Sequence, residues 1–158
     1  MRTAMDRILY WIITGLLVMM LVCVVWQVLS RYIVASPSTV TEELSRFGLI
    51  WLGLLGTAYV AGQKRHLAID LISSRLSGVK AAALALFVQC AILAFALLAM
   101  VYGGMRLVLG IYRSGQVSPI LGINMGYIYL AIPVCGLLVA VYTVLGLLAP
   151  TTRNEETR

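Results

Sequence analysis

ILYWIITGLLVMMLVCVVWQVLS, Ile8 to Ser30, contains no charged side chain. At 1.5 Å per residue such a helix is about 34 Å long, enough to cross a hydrocarbon core about 30 Å thick. Three more charge-free stretches follow, Phe47 to Gln63, Ala81 to Met105 and Ser114 to Thr152. The chain has 158 residues, of which 61% are hydrophobic and 11% charged, so four spans leave no room for a soluble catalytic or binding domain. Runs this long and uniformly apolar exclude an outer-membrane barrel, whose strands alternate over about 10 residues. The reading is an all-α integral membrane protein: one four-helix membrane domain, 1–158, with spans at about 8–34, 42–62, 79–110 and 125–149 packed as a bundle.

The net charge of +6 is scattered among the inter-span segments, which argues for membrane topology and against nucleic acid. One set of alternate segments holds Arg2, Arg7, Lys64, Arg65, Arg75, Lys80, Arg153 and Arg158, and the other holds Arg31, Arg46, Arg106 and Arg113. Eight basic residues against four place both termini in the cytoplasm. The first span is too long for a signal peptide, and Arg31 interrupts the region where cleavage would be recognised. Cys23, Cys90 and Cys135 lie within spans, odd in number and without metal spacing, so they read as small packing residues.

Pro37 ends the first helix, and Thr39 with Glu42 has the spacing of a capping box that starts the second. Gly53, Thr57 and Ala61 repeat a small residue every fourth position, and Gly56 broadens that face, which allows close approach of another backbone. Between Lys64 and Lys80, Leu67, Ile69, Leu71, Ile72 and Leu76 alternate with polar residues, the pattern of a short interfacial amphipathic helix between helices 2 and 3. The Gly103–Gly104 pair is a kink site in helix 3, and Pro133 bends helix 4.

The main polar constellation is Gln27 and Arg31 at the end of helix 1 and Glu42, Glu43 and Arg46 at the start of helix 2. In an antiparallel hairpin these share one depth, and their charges sum to zero. A transported anion needs surplus positive charge or helix N-termini aimed at it. A neutral cluster near one interface instead reads as a structural clamp or partner interface, to which Trp51, Gly53, Gly56 and Thr57 add packing. No ionisable residue lies near the centre of any span. His66 and Asp70, four apart, are too few ligands for a metal site and read as organising one interface. No paired-carboxylate, nucleophile-elbow or phosphate-loop pattern is present, so the sequence offers no catalytic, cofactor-binding or metal residues.

In order along the chain, Arg31–Tyr32, Thr41 to Arg46 (TEELSR), Trp51 with Gly53 and Gly56, His66 to Asp70, Ser118 to Gly122 (SPILG) and Tyr129 to Pro133 resemble the small membrane subunit of tripartite ATP-independent periplasmic (TRAP) transporters. The resemblance covers about residues 31–133. It implies a multi-pass protein of the bacterial inner membrane, tightly bound to a large elevator-type membrane subunit that holds the sodium and substrate sites. It also implies transient contact with a periplasmic substrate-binding protein, uptake of an organic acid such as a dicarboxylate or sialic acid, and a scaffold role for this chain among membrane lipid. Carried over by position, Arg31, Glu42, Glu43 and Arg46 lie at the periplasmic end, His66 and Asp70 at the cytoplasmic side, and the turn at Ser118, Pro119 and Gly122 is a docking place for the binding protein.

Rival readings are weaker. A stand-alone small exporter couples through an acid buried within a span, whereas Glu42 and Glu43 sit at a helix start. A haem-bearing anchor of a respiratory enzyme wants two axial histidines at mid-membrane, and the single histidine is outside the spans. A lipid-modifying enzyme lacks its acidic motif.

Overall fold

The computed structural model describes residues 2–33, 36, 38–63 and 79–148. The segment containing His66, Asp70 and the expected interfacial helix lies outside the described residues. Four helices are long and apolar enough to cross a membrane, and no strand forms among the described residues.

Helix α1 runs from Arg2–Tyr32 and α2 from Thr39–Gln63. The third span begins as α3, Val79–Ala94, passes into a π-helical segment, Phe95–Gly103, and continues as α4, Gly104–Ser114. The fourth span consists of one short helical turn, α5, Gly126–Tyr129, and then α6, Ala131–Leu148. Pro133 explains the interruption at Leu130, because proline has no N–H to donate to the carbonyl of Tyr129 four residues back. Regular bonding resumes when Val134 N–H donates to Leu130 O at 3.2 Å.

The start of α2 differs from a capping box. Ser38 O accepts the Thr41 hydroxyl at 3.0 Å and the Glu42 N–H at 3.4 Å. No reciprocal Thr39–Glu42 bond forms among the described residues, because the Glu42 carboxylate reaches forward to Arg46 instead.

The spans follow the order α1, α2, α6 and then the π-helical and neighbouring turns of the third span, a row that curves so that side chains of α1 and α6 also meet beside α2. Among the described residues, α1 does not meet the third span, so the expected bundle is open rather than closed. Small residues set this order, because helices in lipid gain little from hiding apolar surface and associate through close packing. A Cβ on Gly48 would lie 3.1 Å from Met20 Cγ, so α2 sits tightly against α1 there. A Cβ on Gly136 would come within 2.6 Å of Met100 Cβ and 3.0 Å of Ala96 O, and one on Gly104 within 3.1 Å of Pro133 Cδ. Only glycine allows the π-helical segment and α6 to approach this closely. Ala58, Ala96, Cys135, Val139 and Ala140 form the core that joins α2, α6 and the third span. The outer face of α1, with Trp11, Leu17, Leu21, Val25 and Leu29, stays exposed.

Candidate functional site

The polar residues at the Thr39 end of α2 separate into two groups. Glu42 and Arg46 pair along the helix at 3.2 Å, with their side chains 57% and 68% exposed, so solvent or headgroups screen the attraction strongly. Glu43 turns the other way. It is buried, and its Oε2 accepts the N–H of Leu121 at 2.9 Å across the fold. Arg31 is exposed and makes no ion pair among the described residues, and Gln27 is half-buried with its carbonyl accepting the Ser30 hydroxyl at 3.0 Å. The five residues therefore do not converge on one network. Glu43 instead holds the turn between the third and fourth spans.

That turn is built from its own backbone. Gly115, at φ 66°, closes α4 in the left-handed region, and Gly122, at φ 65°, closes the loop. Ser118 N–H donates to Ile123 O at 2.8 Å, Met125 N–H to Gln116 O at 2.9 Å and Gly122 N–H to Ser118 O at 3.1 Å. Ser118 is fully buried and its Oγ lies 3.2 Å from the Leu121 N, so one amide is shared by the serine and Glu43. Pro119, Ile120 and Gly122 remain exposed at the tip. Asn124, one residue before the N-cap Met125, accepts the Gly126 N–H on its Oδ1 at 2.8 Å.

At the opposite end, the Tyr142 hydroxyl donates to the Asp6 carboxylate and ties α6 to α1. Gly62 lies against the same ring, since a Cβ there would fall 2.7 Å from Tyr142 Cε1. Trp51 is half-buried and packs on the cluster of Leu9, Leu55 and Tyr142, where an apolar groove of about 410 Å³ runs between α1, α2 and α6. Cys135 is buried, and its thiol donates to Leu54 O at 3.0 Å, a direct bond from α6 to α2. The Asp6–Tyr142–Gly62 contact and the Cys135 bond link residues far apart in the chain, and no local pattern marks them.

The small residues of α2 divide by face. Gly48, Ala58 and Gly62 are buried against α1 and α6. Gly53 and Gly56 are not: a Cβ at either would meet nothing within 4 Å. With Leu52, Thr57, Val60 and Ala61 they line a shallow groove of about 540 Å³ on the open side of α2. The Thr57 hydroxyl is bonded to Gly53 O at 2.8 Å, so the groove floor presents no free donor there. Among the described residues no three His, Cys, Asp or Glu side chains gather where a metal ion could sit.

The family of tripartite ATP-independent periplasmic transporters, DctQ component, matches residues 20–153. The chain belongs to this family. The DctQ-family chain is also 26% identical, over 126 residues, to a Haemophilus influenzae protein named as a TRAP transporter small permease, an alignment covering 80% of this chain and 76% of the relative. The DctQ-family chain is thus a multi-pass membrane component of a three-part transporter and not an enzyme.

Proposed function

We propose that this chain is the stationary brace of its transporter, holding the large membrane subunit through the open face of α2 while that subunit carries solute. The observation that carries this reading is the groove at Gly53, Gly56, Thr57 and Ala61: a small-residue face with no neighbour among the described residues, on a helix whose other sides are covered by α1 and α6. Such a face suits a helix packed backbone to backbone, which in lipid supplies much of the association energy. The spans have no charged residue near their centres to bind an ion or an organic acid, so the sodium and carboxylate sites belong to the larger partner.

In this reading the termini are cytoplasmic, the protein sits in the bacterial inner membrane, and the 115–125 turn faces the periplasm. There the exposed tip at Pro119 and Gly122, anchored by Ser118 and Glu43, receives the binding protein. Glu42, Arg46 and Arg31 border the same end, and His66 and Asp70 the cytoplasmic one. The cargo is an organic acid such as a dicarboxylate or sialic acid.

The test is co-purification. Gly53→Leu with Gly56→Leu fills the groove without touching the chain's own packing, so the variant inserts normally and loses the large subunit. Undiminished recovery of the large subunit would show that it docks elsewhere.

A further inference from the structure

Arg106 and Arg113 are seven residues apart on α4 and both are exposed. With Tyr102 and Leu109 they recur at helical spacing, and all four are exposed. Neither arginine makes an ion pair, since the one pair among the described residues is Glu42–Arg46. Their own half of the molecule cannot neutralise them, because the chain has no acidic residue between Asp70 and Glu155. At their end of the row, Glu42 is engaged by Arg46 and Glu43 is buried on Leu121 N–H. Among the described residues, two positive charges therefore face outward with no counter-charge.

Their depth follows from the fourth span. Gly126–Leu147 is 22 residues, about 33 Å at 1.5 Å per residue, close to the thickness of the hydrocarbon core. We place the hydrocarbon boundary on that side at Gly126. A Cβ on Gly126 would lie 3.3 Å from Tyr112 Cδ2 and 3.6 Å from Val108 O, so this boundary crosses α4 at Val108. Arg106 is then about 3 Å below the boundary and Arg113 about 7 Å above it. The headgroup layer is about 5 to 8 Å deep in each leaflet, and arginine stems reach along the helix to place the guanidinium in it. The two backbone positions thus bracket the inner edge of the headgroup layer, within reach of an arginine stem. Met105, Leu107 and Leu109 are exposed and apolar around them, and Tyr112 and Tyr127 meet edge to face at the same level, as aromatic side chains do at a membrane interface.

We propose that Arg106 and Arg113 form a binding site for one anionic glycerophospholipid in the leaflet on the side of the 115–125 turn. The phosphate lies between the two guanidiniums, and the glycerol and upper acyl chain lie along Leu109 and Tyr102. Paired arginines match phosphate oxygens in geometry as well as charge. The apolar stripe around them favours lipid over the acidic face of a soluble protein.

The test is native mass spectrometry of the full chain in neutral detergent, titrated separately with phosphatidylglycerol, phosphatidylcholine and inorganic phosphate. Two basic residues near an anionic lipid together supply about a thirtyfold preference, so one phosphatidylglycerol is retained at correspondingly lower concentration than phosphatidylcholine. Arg106→Gln with Arg113→Gln removes most of that preference, Arg106→Lys with Arg113→Lys keeps part of it, and Arg31→Gln leaves it intact. Equal retention of the two lipids by the wild type overturns the proposal without any variant. Displacement of the lipid by inorganic phosphate identifies a free-anion site and overturns it too. So does a double Gln variant that keeps its lipid preference but releases a soluble partner from the assembled transporter, which would assign the arginines to a protein contact.

Discussion

Glu43→Ala removes the acceptor that reaches from α2 to the Leu121 amide, a bond of 2.9 Å from a side chain only 6% exposed. Hydrogen bonds to charged groups contribute about 1.5 to 3 kcal/mol. The Leu121 N–H also lies 3.2 Å from Ser118 Oγ, which remains as a second acceptor, so the single substitution costs the lower figure, about 1.5 kcal/mol. Ser118→Ala alone costs less, because Glu43 keeps the amide. With both changed, the half-buried amide loses both protein acceptors and the cost approaches about 3 kcal/mol, more than the two single losses added together. For a chain of this size 1 kcal/mol corresponds to about 2 to 4 °C in melting temperature, so Glu43→Ala melts about 3 to 6 °C lower. Hydrogen exchange localises the effect, with faster exchange across 118–124 and unchanged protection in the middle of α6. Unaltered exchange at Leu121 in Glu43→Ala, or strictly additive losses in the double variant, would refute the shared-amide geometry.

Glycine substitutions sort the faces of the row. Gly136→Ala places a methyl 2.6 Å from Met100 Cβ and 3.0 Å from a backbone oxygen, and overpacking of this kind costs about 1 to 3 kcal/mol in a melting experiment. Gly53→Ala meets nothing, so it leaves melting unchanged or slightly raised. Tyr142→Phe loses the hydroxyl that Asp6 accepts, and faster exchange confined to the first two turns of α1 reads that loss. Glu42→Ala or Arg46→Ala changes the stability of the isolated chain by no more than about 0.5 kcal/mol, as for other exposed pairs four residues apart. If these two residues contact a partner, the same substitutions weaken recovery of the assembled transporter without altering which substrate it accepts.

The spans were legible because lipid demands an uninterrupted apolar run, and a run is a local property of sequence. The turn around Ser118 was legible for a similar reason, since its glycines and proline act within a few residues. The destination of Glu43 was not. Helix spacing puts Glu42 and Glu43 side by side, and only the fold decides that one pairs along its helix while the other crosses to Leu121. The stripe Gly53, Thr57, Ala61 announced close packing, but the sequence could not say whether the neighbour belonged to the same chain. Gly48, Gly62 and Gly136 look no different in sequence, yet these three meet Met20, Tyr142 and Met100 while Gly53 meets nothing. The row order α1, α2, α6 and third span was equally hidden, because it depends on which small residues face one another.

Transport by reconstituted proteoliposomes addresses the brace most directly. Vesicles receive this chain alone, its large membrane partner alone, or both, with the periplasmic binding protein, a sodium gradient and a panel of labelled organic acids supplied in every case. Uptake is expected only where both membrane chains are present, and it is lost when Gly53 and Gly56 are both leucine. Solute accumulation by vesicles holding this chain alone would contradict it.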